Sequence, residues 1–356
     1  KRYSVRRFKR FAPVSPPGRF PVESPAAFPI GCTPQQESAM NSPLSFRNRP
    51  PRNRHIVVAG AQFAVVPNDI SSNLYRCIYF LRRAKEDTGA RLLVFPESIT
   101  TGFNPAMDAR ELYDMLPDTD DMLSPVQRAC RDLRIHCVLP TYERGSEPGV
   151  VYNSAFLIDS RGRNLGAYRK THLFPTERIG NKGWTTPGND YPVFETEIGT
   201  IGIHICYDGD FPEIARILAV KGARILCRPS ALMRSFEIFQ ATNQMRAYEN
   251  HLYHIAPNAV GADAAGTTFF GHSMIVSPLA QTVALARAVD DLIYTEIDPR
   301  PRQRVSYGSD MPMLFDHLKD RNVRSYTREL FVPSATPEPP TARGGCRRAV
   351  KRKSKR

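Results

Sequence analysis

From residue 56 onward, the apolar positions switch between a run that suits buried strands and a spacing that suits helices. Residues 56–65 are almost continuously apolar, the pattern of a strand covered on both faces. Leu74, Cys77, Ile78 and Leu81 then recur at i, i+3, i+4 and i+7, one face of a helix whose end is marked by Gly89. Residues 91–95 form the next buried strand and run into Pro96-Glu97. Ser124-Pro125 predicts a helix start, a capping residue followed by proline in the first turn, with Val126, Ala129, Cys130 and Leu133 on one face. Residues 137–141 make the next strand.

The middle of the chain favours hairpins. Residues 151–159 and 165–173 are strand-like and are joined by the turn Ser160-Arg161-Gly162-Arg163. The first pattern then returns: a strand over 199–206, a helix over 211–221 opened by Pro212 and closed by Gly222, a strand over 223–227 and a helix over 237–250. Strands over 253–259, 273–276 and 292–297 complete it. Alternating β and α elements with hairpins predict one layered α/β domain.

Charge separates this domain from its flanks. The chain of 356 residues has a formal charge of +14. Residues 1–54 carry eleven Lys/Arg against two acids, and residues 343–356 carry eight against none. Taking those +9 and +8 from +14 leaves −3 for residues 55–342. Dense Pro, Ser and Arg without apolar periodicity predict disorder over 1–54 and 334–356, leaving 55–333 as the folded domain. Clustered cations at the ends could contact nucleic acid or another anionic surface, and the Arg-rich start also resembles an organelle transit segment. No run of about 18 apolar residues is present, which argues against a membrane span. Seven scattered cysteines without a CxxC pair argue against a disulfide framework or structural zinc, and point to a soluble, cytoplasmic protein in a reducing compartment.

The candidate chemistry lies at strand ends. Cys206 stands before a Pro-initiated helix, a position that favours a thiolate nucleophile. A thiolate needs a proton acceptor and a donor for the oxyanion that it creates. Glu97, after Leu92-Leu93-Val94-Phe95, can be the base, and Lys170 is a candidate cation. Asp208 and Glu213 are explained by capping and the helix dipole, and His272 by burial in the core. Phe103 and Trp184 fall in loops that would flank a pocket mouth.

Three motifs in order, Val94-Phe95-Pro96-Glu97, Tyr168-Arg169-Lys170-Thr171-His172-Leu173 and Cys206-Tyr207-Asp208 with Phe211-Pro212-Glu213, resemble the nitrilase superfamily in its amidase and carbamoylase branches. Tyr152-Asn153-Ser154-Ala155, Pro187-Gly188 and Gly271-His272-Ser273 add to the resemblance, which covers about residues 56–298. It implies a four-layer αββα sandwich that dimerises, or assembles further, through its outer helices. It also implies a triad of Glu97 as general base and acid, Lys170 as oxyanion stabiliser and Cys206 as nucleophile, without metal or cofactor. A second glutamate in the loop after the lysine motif corresponds to Glu177, with Glu143 as the competing candidate.

The expected activity is hydrolysis of a small carboxamide to acid and ammonia through a thioester, with the Tyr207 backbone N–H joining Lys170 at the oxyanion. An N-carbamoyl amidohydrolase is the close alternative. Tyr207, where true nitrilases usually place Trp, makes a nitrilase the more distant one. Asp208-Gly209-Asp210 weighs against an anionic amino-acid substrate. From another class, a nucleic-acid-binding module would use the basic ends alone.

Overall fold

A computed structural model describes residues 55–299 and 316–326. The basic extension, the basic tail and the boundary expected at 333 fall outside these residues. In chain order the main elements are β1 (Ile56–Gln62), α1 (Ile70–Thr88), β2 (Leu92–Val94), α2 (Ala109–Met115), α3 (Thr119–Leu133), β3 (His136–Arg144), β4 (Val151–Ile158) and β5 (Asn164–Arg169). They continue with β6 (Val193–Phe194), β7 (Ile201–Ile203), α4 (Pro212–Val220), β8 (Ile225–Cys227), α5 (Phe236–Tyr248), β9 (Tyr253–Ala256), β10 (Val260–Ala262), β11 (Thr268–Phe270), β12 (Met274–Val276), β13 (Thr282–Leu285) and β14 (Asp291–Ile297).

Two six-stranded sheets result, in the orders β14-β1-β2-β3-β4-β5 and β13-β12-β9-β8-β7-β6. Each has three parallel strands at its centre, flanked by antiparallel ones. Side-chain alternation sorts the apolar runs into layers. Val58, Leu92 and Val138 face Ile203, Ile225, Ile255 and Met274 in the core between the sheets. Their neighbours Ala59, Leu93 and Cys137 turn outward onto Leu81 of α1 and Val126 and Cys130 of α3. On the far side Ile214 and Leu218 of α4 pack with Leu226 and Leu252. The architecture is the expected four-layer αββα sandwich.

Some local expectations fail. The helix expected to start at Ser124-Pro125 starts at Thr119, with Pro125 inside it. Proline in a helix interior costs about 3 kcal/mol, but the added turn buries Met122 and Leu123 beside Val126, worth about 1.5–3 kcal/mol each. Helix α2 was missed although Asp108 and Glu111 form a capping box at its start. The hairpin β10–β11 and edge strand β13 were missed too. Strands expected over 165–173 and 199–206 are shorter, so Lys170 and Cys206 lie just past strand ends.

His204 and His254 are wholly buried, with their Nε2 atoms 3.0 Å apart. His254 Nδ1 lies 3.1 Å from the Asn243 carbonyl, so it carries a proton and donates there. His254 Nε2 is then an acceptor and His204 Nε2–H the donor, which leaves His204 Nδ1 unprotonated and without a partner. Burial drives both residues toward the neutral form, His254 to about 3 and His204 well below its ordinary value, helped by the charges of Arg228 and Arg246.

The unfolded chain protonates both rings near pH 6.5 while the folded chain does not. Their stabilisation is therefore complete above about pH 6.5 and is lost as pH falls toward 3, at about 1.4 kcal/mol per unit per ring. Urea unfolding of wild type and of the double variant His204→Leu, His254→Leu at pH 7.5 and 5.5 checks this. Wild type is expected to lose about 3 kcal/mol more than the variant over that interval; equal losses would show that the pair does not set the pH response.

Candidate active site

Strand alternation aims two adjacent cations in opposite directions at the end of β5. Arg169 turns outward and binds Glu143 at 2.7 and 2.9 Å. Lys170, the next residue, is completely buried. Its Nζ donates to Glu97 Oε1 at 2.7 Å and to Glu177 Oε2 at 2.5 Å. Asn153 Nδ2 donates to both carboxylates at 2.8 Å. The N–H of Ala231 reaches the second oxygen of Glu97 at 2.9 Å, and the N–H of Phe174 reaches Glu177 Oε2 at the same distance. Burial opposes the ammonium, but the charges of Glu177 and Glu97 outweigh it and hold Lys170 well above its ordinary value. Glu177 is raised, because burial and the neighbouring Glu97 exceed the pull of Lys170.

The backbone around this centre is tightly fitted. Gly188 donates its N–H to the Lys170 carbonyl at 2.9 Å, and a Cβ there would meet the Arg169 carbonyl oxygen at 2.4 Å. Gly183 closes the loop that presents Glu177; a Cβ would lie 2.1 Å from the Glu177 carbonyl carbon.

Cys206 lies three residues past β7, opening a 3-10 turn (Cys206–Asp210) that leads into α4. Its φ of 47° is left-handed, a sparsely populated region for a residue with a Cβ. Burial pushes the thiol up and Glu97 adds to the rise, while Lys170, Arg228 and the Ala231 N–H pull the other way. The sulfur lies within the electrostatic reach of the carboxylate and ammonium that the motifs single out.

The other sequence candidates sort by contact. Phe103 lies against the centre, with Lys170 Nζ 5.4 Å from its ring centroid. Trp184 packs edge-on behind Phe103 and donates to Tyr142 Oη at 2.9 Å. Glu143 belongs to the Arg169 pair and to Ser154 Oγ, not to Lys170. Asp208 is buried and structural: it accepts from the Ile205 N–H, the His172 N–H and Tyr168 Oη at 2.9, 2.9 and 2.7 Å. Asp210 is held by Arg234 at 2.7 Å and Arg228 at 3.4 Å. The two acids that weighed against an anionic substrate are thus already paired. Glu213 is exposed in the first turn of α4, and half-buried His272 makes a 2.8 Å hydrogen bond between Nδ1 and the Phe270 carbonyl.

Sequence reasoning placed Asn153 in the match Tyr152-Asn153-Ser154-Ala155 without giving it a role, and passed over the Ala231 N–H and Arg228. Of the two passed over, Arg228 left a signal, a cation directly after the apolar run Ile225-Leu226-Cys227. A cavity of about 550 Å³ adjoins the centre, with walls that include Thr171, Leu173, Arg178, Pro187, Tyr207 and Phe211. Thr171, Arg178 and Tyr207 each directly follow a member of the polar centre, yet Cys206, Glu97 and Lys170 are not in the walls. Among the described residues, no cluster of three or more His, Cys, Asp or Glu side chains is arranged to hold a metal ion, and no helix is long and apolar enough to cross a membrane.

Residues 57–307 match the family model for carbon-nitrogen hydrolases. An (R)-stereoselective amidase from Pseudomonas sp. is 31% identical over 74% of the chain and 90% of its own length. The human omega-amidase NIT2 is 28% identical over 64% and 83%. Among solved structures, an amidase from Nesterenkonia sp. AN1 in complex with butyramide superposes with a TM-score of 0.65 at 25% identity, covering 78% of this chain and 98% of that one. The chain belongs to the carbon-nitrogen hydrolase family, in the amidase branch of the nitrilase superfamily, and is a hydrolase of carbon–nitrogen bonds other than peptide bonds.

Proposed function

We propose that the protein hydrolyses a small carboxamide to its acid and ammonia through a thioester on Cys206. The observation that carries this reading is the buried Lys170 ammonium shared by Glu97 and Glu177 beside a buried thiol in a left-handed turn. Glu97 takes the thiol proton as the sulfur attacks the amide carbonyl carbon. The carbonyl π pair moves onto oxygen, and Lys170 Nζ with the Tyr207 N–H holds the charge. Glu97 then gives its proton to the amide nitrogen, which leaves as ammonia while the carbonyl re-forms as a thioester. Water attacks the thioester as Glu97 accepts its proton, the acid departs, and that proton returns to sulfur.

Glu177 would not transfer protons. Held by Lys170, Asn153 and the Phe174 N–H, it keeps the ammonium charged and aimed. Phe103 beside Lys170 suits a small acyl group. Amidases with stereoselective and omega-amide names among the relatives support an amide substrate. An N-carbamoyl amine is the second reading, favoured by an N-carbamoylputrescine amidase 28% identical to this chain. The assembly proposed with it is a homodimer through α4 and α5, which expose Val220, Ile238 and Met245.

An ammonia-release screen over aliphatic amides, aromatic amides, N-carbamoyl amines and nitriles tests the reaction; release from nitriles alone would refute it. Cys206→Ala is expected to reduce turnover by about 10⁴-fold or more with the fold intact, whereas Cys77→Ala and Cys227→Ala, at fully buried positions, lower stability and spare chemistry. Substantial hydrolysis by Cys206→Ala would end the thioester scheme. Glu177→Gln should lower kcat by about 10²-fold, and Glu143→Gln should leave kcat within about threefold while weakening the Arg169 contact. The reverse order in steady-state kinetics would move the second carboxylate to Glu143.

A further inference from the structure

We propose that Arg228 is a positioning residue for Cys206: its buried guanidinium fixes the backbone of the nucleophile and supplies a permanent positive charge behind it. The inference rests on Cys206 being the nucleophile. Arg228 directly follows β8, the parallel neighbour of β7, and none of its surface is exposed. Taking a guanidinium out of water costs several kcal/mol unless its N–H groups are matched. Here they are matched mainly by neutral acceptors. Nε donates to the Cys206 carbonyl at 2.9 Å, and Nη1 donates to Thr242 Oγ1 and Asn243 Oδ1 of α5, both at 2.8 Å. The one acid on it, Asp210, is 3.4 Å away and is held more closely by Arg234.

The contacts converge on the strained residue. The Cys206 carbonyl is taken by the Arg228 side chain, and the Cys206 N–H is taken by the carbonyl of Pro229 at 2.8 Å. Adjacent residues of one strand end therefore grip both backbone polar groups of a cysteine whose φ is 47°. A non-glycine residue persists there only when its surroundings over-determine it. The turn lies flat on the guanidinium: a Cβ on Gly209 would be 2.1 Å from Arg228 Cζ, and Arg246 Nε holds the Gly209 carbonyl at 3.1 Å. No other side chain fits this geometry, since a lysine lacks the fork that reaches Cys206 and α5 together.

The charge matters as well as the grip. The thiol faces Glu97, which disfavours ionisation, and Lys170 and Arg228, which favour it. Arg228 in turn faces Asp210, Arg246 and Arg234. Removing Arg228 should make the thiolate harder to form, and neutralising Asp210 should make it easier. A purely structural role predicts no such opposition of sign.

The test is the pH dependence of Cys206 alkylation by iodoacetamide, followed by mass spectrometry, in Arg228→Met and Asp210→Asn, with steady-state kinetics on the amide that wild type turns over best. Arg228→Met should move the alkylation midpoint up by about one pH unit or more and lower kcat about 10²-fold, with KM within about threefold. Asp210→Asn should move the midpoint down. A folded Arg228→Met with the wild-type midpoint and kcat would overturn the proposal, as would a midpoint in Asp210→Asn that stays in place or rises. If Arg228→Met does not fold, Asp210→Asn decides alone. If wild type hydrolyses no amide, the proposed reaction fails, while the alkylation midpoints still decide the role of Arg228.

Discussion

A fully buried ammonium between two buried carboxylates is the constraint that organises this molecule. The effective penalty for taking each ion out of water is several kcal/mol even after relaxation. Lys170, Glu97 and Glu177 offset it by contacts with one another and by converging donors: one amide group of Asn153 serves both acids, and the N–H groups of Ala231 and Phe174 take further oxygens. Removing one partner of such a cluster leaves an uncompensated charge in the core, which typically costs about 3–5 kcal/mol. That cost explains why the surrounding backbone has so little slack, with Gly183 and Gly188 at points where no Cβ fits.

The cluster draws on both sheets. Glu97 and Lys170 follow β2 and β5 of the first sheet, whereas Cys206 and Ala231 follow β7 and β8 of the second. Packing Val58, Leu92 and Val138 against Ile203, Ile225 and Met274 is therefore also what brings carboxylate, ammonium and thiol together. Apolar burial supplies the association, and the polar centre at its margin sets the alignment.

Two buried cations act on one sulfur, Lys170 beside the carboxylates and Arg228 beneath the turn. They differ in kind. An ammonium is a point charge that can meet a developing oxyanion, whereas the planar fork of a guanidinium ties separate pieces of backbone and helix together. Lys170 stands in a motif that the sequence makes recognisable, whereas Arg228 is visible only through its contacts to the Cys206 carbonyl, Thr242 and Asn243.

By itself the sequence determined a layered α/β domain, because apolar period is a local property that a core of buried strands and amphipathic helices must respect, and its strand-end motifs pointed to the family, through which alone the αββα order was implied. It also singled out Glu97, Lys170 and Cys206, since the residue types needed for thiol chemistry stand at recognisable breaks in apolar runs. The resemblance pointed to Glu177 over Glu143, and only the tertiary structure shows that Glu177, not Glu143, contacts Lys170. Both are acids in polar surroundings, and the choice depends on β5 turning Arg169 out and Lys170 in, with each cation taking the nearest carboxylate. It also decided which groups Asp208 binds, that Asp210 is paired with arginines, and that Arg228 holds the cysteine. Those roles arise from contacts between elements 15 to 40 residues apart in the chain, and neither propensity nor spacing encodes which side chains will meet once two sheets close on each other.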